Sequence, residues 1–135
     1  MKNWEKLFAD AKNSGVYPVE EEKLEYITQA ANQEGLEIFF LDLASVNDKT
    51  GFFNETARIL QFPEYFGSNW DAFEECLTDL AWLEAQGYVL LIKNSGQFQQ
   101  SAPIDAAMAR KILNDAAAYW KRQEMRFFVL YCEKR

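Results

Sequence analysis

The 135-residue sequence contains no histidine and only two cysteines. A Ser–His or Cys–His catalytic pair therefore has no base, and two cysteines cannot supply the four Cys or His ligands of a tetrahedral zinc site. Apolar runs such as Tyr88–Ile92 fall far short of the ~18 residues of a membrane span. The opening stretch, MKNWEKLFADAK, is amphipathic and charged, without the apolar core of a secretory signal. Cytoplasmic localisation is the expectation. Cys76 and Cys132 form no CxxC pair and sit among apolar or aromatic residues, so both are expected to be buried, reduced thiols. Basic residues are scarce as well. Against 21 Asp and Glu stand 14 Lys and Arg, a net charge of −7. Phosphate repels such a chain, which argues against direct nucleic-acid binding and for a cationic partner.

What is present is one domain's worth of alternating elements, with no repeat, linker or low-complexity tract. Trp4, Leu7, Phe8 and Ala11 mark one face of a short helix. Gly15–Val19 breaks it and is a candidate edge strand, where Pro18 is tolerated. Glu20–Gln33 is expected as helix with Leu24, Ile27, Ala30 and Ala31 inward, ended by Gly35. Leu36–Leu43, Tyr88–Ile92 and Arg126–Cys132 are the expected strands. Helices are expected over Asp48–Leu60, with Phe52, Phe53, Ala57 and Leu60 inward, and from Ser68 to about Trp82. A long helix capped by Ser101, with Pro103 in its first turn, is expected to turn Ile104, Met108, Ile112, Ala116 and Trp120 inward. Strands joined through helices are parallel as a rule. The fold class is thus α/β: a small parallel sheet of three central strands, with a candidate fourth at its edge, covered by helices. Residues 1–34 are expected to form a helical extension packed on a domain of residues 35–135; a loosely attached arm is the alternative.

The missing bases have an address. From Arg58 to Lys93 there is no intervening Lys or Arg, while Glu64, Asp71, Glu74, Glu75, Asp79 and Glu84 all fall there, six of the seven excess charges. On the helix from Ser68, Trp70, Phe73, Leu77 and Leu80 form the apolar stripe, and Asp71, Glu74, Glu75 and Thr78 a second, polar one. Asp71 suits the positive end of the helix dipole. Glu75 and Asp79 have no lysine three or four residues away, and like charges at that spacing cost about 0.2–0.5 kcal/mol per pair. Such a face is either an ordinary solvated surface or one that a cationic partner neutralises. The preceding Pro63-Glu64-Tyr65-Phe66-Gly67 loop offers two aromatics for contact or for core packing. Gly67 offers a position for positive φ or close approach, and Asn69 a cap or a ligand contact.

The run from Phe62 through Pro63-Glu64-Tyr65-Phe66-Gly67-Ser68-Asn69-Trp70-Asp71-Ala72-Phe73 to Cys76-Leu77-Thr78 strongly resembles the signature of the barstar family. These are intracellular inhibitors of barnase-type, guanyl-specific ribonucleases. From Leu36 onward the order of elements is also similar to the family's. The resemblance implies that Tyr65, Gly67, Asn69 and Asp71 touch a nuclease. It also implies that Glu75 enters the nuclease's phosphate-binding site, and that an acid on the last helix, best matched by Asp115, contributes. Phe66, Trp70, Glu74 and Thr78 complete the expected partner-binding set. Two positions depart from the founding member: Glu75 stands where it has an aspartate, and Glu74 where it has a tryptophan.

The implied partner is a basic, barnase-like ribonuclease bound one-to-one, with no membrane, cofactor or metal involved. Carboxylates on a rigid helix can replace RNA phosphates against the nuclease's Arg and Lys. The alternative is a non-inhibitory binding module for another basic protein. Catalysis by paired carboxylates is not expected, because an exposed helical face has no apolar pocket to separate their pKa values. No EF-hand spacing is present either.

Overall fold

The computed structural model describes residues 2–64 and 66–133. Four strands, β1 (Gly15–Glu20), β2 (Glu37–Asp42), β3 (Gly87–Lys93) and β4 (Arg126–Glu133), form one sheet in the order β1-β4-β3-β2. All three pairings are parallel. The architecture is α/β, and the candidate edge strand is its fourth member. β3 and β4 lie in the middle and are buried from end to end apart from their termini, which is why their sequences are continuously apolar. β2, at the edge, alternates instead, with Phe39 and Leu41 buried and Glu37, Phe40 and Asp42 exposed. Pro18 is exposed on the opposite edge strand, where its missing N–H costs no ladder bond.

Helices cover both faces. Helix α1 (Trp4–Ala9) and helix α2 (Leu24–Gln33) close one of them. There Trp4, Phe8, Ile27, Ala30 and Leu36 pack on Val89, Leu91, Phe128 and Leu130. Residues 2–34 therefore hold the edge strand as well as helices. Gly35 ends α2 in the left-handed region, φ 74°, and Leu36 N–H closes the turn on the Ala31 carbonyl at 3.0 Å. The other face carries α3 (Lys49–Leu60), α4 (Trp70–Leu77), the short α5 (Gly96–Ser101) and α6 (Pro103–Arg122). Phe52, Phe53, Phe73, Leu77, Leu113 and Ala116 pack there on Leu41, Leu90, Ile92 and Val129.

Several sequence expectations are corrected. The first helix stops at Ala9, because Asp10 accepts from Lys12 N–H and starts a separate 3-10 turn that takes Ala11. Residues Glu21–Lys23 likewise form a 3-10 turn ahead of α2. Ser101 does not cap the long helix. It ends α5, where its hydroxyl accepts from Gln97, and Pro103 itself is the first residue of α6. Ile104 and Met108 are exposed, at 82% and 38%, because the buried stripe of α6 begins only at Ala109 and runs through Ile112, Leu113, Ala116 and Ala117. On α3, Thr56 is fully buried, whereas Ala57 is only half-buried.

The Thr56 hydroxyl has no hydrogen-bond partner. An unsatisfied buried polar group costs about 1–3 kcal/mol. Thr56→Val keeps the shape and removes that cost, so denaturant unfolding should show a gain of about 1 kcal/mol. A loss would mean that the hydroxyl is bonded in solution.

Candidate functional site

α3 ends at Gln61 in the left-handed region, φ 57°, and Phe62 N–H bonds the Ala57 carbonyl at 2.9 Å. The chain then passes through the loop to α4. Tyr65 lies outside the described residues. Phe66 is half-buried and packs edge-on against Phe62 and Phe53, with ring centres 5.1 and 5.5 Å apart. Trp70 is half-buried too and meets Phe53 at 4.7 Å and Phe73 at 5.7 Å. Both aromatics thus hold the loop and the start of α4 on the core. Gly67 is exposed but does not take a positive φ; Ser68 does, at 53°. A Cβ on Gly67 would stand 3.3 Å from the Asn69 side-chain nitrogen.

Asn69 caps α4: its side-chain oxygen accepts from Ala72 N–H at 2.8 Å. This satisfies one of the orphan N–H donors of the first turn. It also fixes the phase of the helix, so that Phe73, Cys76 and Leu77 point into the core. Asp71 and Glu75 are then exposed, and Glu74 and Thr78 half-buried. Asp71 and Glu75 lie one turn apart, about 6 Å along the axis.

The helix is shorter than its periodicity suggests. It stops at Leu77 rather than near Trp82. Thr78 folds its hydroxyl back onto the Glu74 carbonyl at 2.9 Å. Leu80 adopts φ 51° and is fully buried from the turn instead of from the helix. Two indoles bond backbone carbonyls at helix ends: Trp120 donates to Leu77, the last residue of α4, at 2.9 Å, and Trp82 donates to Leu60, the last residue of α3, at 2.8 Å. The first of these ties the end of α4 to α6. Trp120→Phe should keep most of the packing and lose that bond, at a cost of about 1 kcal/mol. Hydrogen exchange at the end of α4 should quicken by more than in the domain as a whole; uniform quickening would contradict the tie.

Where α4 faces α6 an open cleft of about 430 Å³ forms, lined by Glu74, Glu75, Thr78, Asp115, Tyr119 and Arg122, with Ala118. Four of the candidate residues from two distant parts of the chain, Glu74, Glu75, Thr78 and Asp115, therefore share one wall-to-wall site. Asp71, Asn69 and Gly67 continue it toward the start of α4. Tyr119 and Arg122 were missed, although they stand four and seven residues beyond Asp115 on the same helical face.

The charges in the cleft are not equivalent. Among the described residues none of Asp71, Glu74, Glu75 and Asp79 has an ion pair. Asp115 does have one, with Lys111 at 2.9 Å. That hydrogen bond first, then the Asp115 charge, with Glu74 adding to them, holds the Lys111 ammonium above its ordinary pKa. Cys76, buried under the acidic face, has its thiol pushed up by burial first and by Asp79 and Glu75 next. It forms no disulfide, and Cys132 is buried as well. A buried thiol with a raised pKa, such as that of Cys76, behaves as a small apolar group rather than a nucleophile.

Among the described residues no group of three or more Cys, Asp or Glu is placed to hold a metal ion. Within the same residues no helix is long and apolar enough to cross a membrane. The family model described as Barstar (barnase inhibitor) matches residues 36–132, well over half of the chain. No curated protein matches it.

Proposed function

This chain belongs to the barstar family, and we propose that it inhibits a barnase-type, guanyl-specific ribonuclease by seating the acidic edge of α4 in the enzyme's cationic active site. Asp71 and Glu75 carry the role of RNA phosphates, each meeting Arg or Lys of the enzyme through charge-assisted bonds. Glu74, Thr78 and Asp115 line the flank that the enzyme's rim covers. Tyr65, Gly67 and Asn69 extend the contact along the loop, while Phe66 and Trp70 set the loop's position from below.

The observation that best supports this reading is the run of carboxylates on α4 that have no ion pair among the described residues, borne on a helix whose opposite side is fixed in the core. A face tuned for stability alone would interleave lysines. Here the repulsion is left in place, which suits a surface completed by a cation-rich partner. Opposed fields also speed encounter and make it salt-dependent, behaviour for which the barnase–barstar pair is itself the standing example. The protein occupies a site and performs no chemistry, so it requires neither histidine nor a proton relay.

The reading is tested by titrating the protein against a panel of guanyl-specific ribonucleases. At least one activity should vanish near equimolar ratio. If none responds while the protein captures a basic protein that is no nuclease, the non-inhibitory binding module replaces the inhibitor.

A further inference from the structure

Lys111 is a base at the edge of the acidic cleft, one helical turn before Asp115 on α6. It lies on α6, it is exposed, and its ammonium bonds Asp115, a residue of the cleft wall, at 2.9 Å. The acids of α4 across the cleft have no such partner among the described residues. A cation entering the cleft therefore meets carboxylates without an ion pair on the α4 wall, and on the α6 wall a carboxylate already paired with Lys111, with Arg122 further along. We infer that Lys111 is a resident counter-ion that sets the specificity of the site: it lowers the attraction for cations in general and leaves Asp115 to a partner able to displace it.

The physical argument is one of competition. An exposed pair of this kind adds little to stability, so its geometry is cheap to break. A single mobile ammonium from a non-cognate protein gains nothing by exchanging with Lys111, because it replaces like with like. A guanidinium fixed in a rigid site gains more, since two parallel N–H bonds replace one point contact. Lys111 thus discriminates against weak, nonspecific polycations more than against a preorganised arginine-lined site. Specificity through a repulsive element is a general device of binding surfaces.

The inference rests on the proposed inhibitory reading for its biological sense, but its test does not need the cognate enzyme. Hexalysine serves as the generic cation, with binding followed at about 0.1 M ionic strength. Lys111→Gln should tighten hexalysine binding about fivefold, the effect of removing one unit charge about 4 Å from an incoming cation in water. Lys111→Arg should behave as the wild type. Lys6→Gln changes the net charge by the same amount on α1, which packs on the opposite face of the sheet, and should change binding by less than about twofold at that ionic strength, where the Debye length is about 10 Å. Equal effects of Lys111→Gln and Lys6→Gln, or none from either, would overturn the inference. Ribonuclease titrations with the same proteins keep the two readings apart. Inhibition retained with indistinguishable glutamine variants defeats the role of Lys111 alone. A selective Lys111 effect on hexalysine with no ribonuclease inhibited upholds the counter-ion and defeats the inhibitor.

Discussion

Glu75→Ala is expected to weaken binding to the target ribonuclease by well over ~2 kcal/mol, roughly thirtyfold or more, the scale of an interface hot spot. The barnase–barstar pair is among the systems that define that scale. The free protein should unfold at the same or slightly higher denaturant concentration. The two halves of this result have one cause. Glu75 is exposed and no cation pairs with it among the described residues. Asp71 lies one helical turn before it, and Asp79 follows in the turn just beyond the helix end. Removing it relieves repulsion in the free state, by a few tenths of a kcal/mol per pair. In the complex the same removal strands arginine or lysine of the enzyme without an acceptor, and leaving a buried charge unpaired is far more costly than leaving an exposed one. Isothermal titration with the ribonuclease and urea unfolding of the free protein measure the two halves separately. Loss of stability with unchanged affinity would make the acidic face a structural feature.

Phe73→Ala should produce the opposite pattern. Phe73 is fully buried and its ring meets Phe52 at 5.4 Å, Phe53 at 5.7 Å and Trp70 at 5.7 Å. Truncating a core phenylalanine costs about 3–5 kcal/mol, the transfer of the ring plus the cavity it leaves. That is a large part of the stability of a domain this size. Because Phe73 is also the anchor that fixes the phase of α4, the cavity lies directly beneath Glu74 and Glu75. Affinity should fall together with stability, through a faster dissociation rate, since the charges that steer encounter remain in place. Phe73→Leu, which refills much of the space, should recover most of both. An affinity unaffected by Phe73→Ala in the folded fraction would show that the acids do not need a rigid helix.

The contrast between these variants reflects what the sequence makes legible. β3 and β4 are plain in it because burial on both faces leaves no polar residue in their middle. The α4 stripe is legible too, since Phe73 and Leu77 repeat at helical spacing and Asn69 stands at the cap. The end of α4 is not legible. It is decided by the indole of Trp120, 43 positions away, and by the burial of Leu80 in a left-handed turn. Periodicity carries the pattern past Leu77 because Leu80 is inward either way. Ile104 and Met108 continue a helical period without a core beneath them. Whether a periodic residue is covered depends on how far the helix overlaps the sheet, which is a tertiary quantity. Ser101 resembles a cap by its distance from Pro103, yet the short α5 claims it. At the site, the acids were visible as a stretch without bases. The cleft was not, because it arises where α4 meets α6, and the bases concerned, Arg122 in its lining and Lys111 paired with Asp115, lie outside that stretch.

An inhibitor that works by phosphate mimicry must occupy the ribonuclease active site itself. The most direct measurement is competition with a guanosine mononucleotide, a small ligand that places its phosphate where Asp71 and Glu75 are proposed to sit. With increasing nucleotide the apparent affinity of the protein should fall in proportion to the fraction of enzyme occupied, and the bound nucleotide should be expelled at equimolar inhibitor. A ternary complex, in which protein and nucleotide bind the enzyme together without loss of affinity, would contradict it.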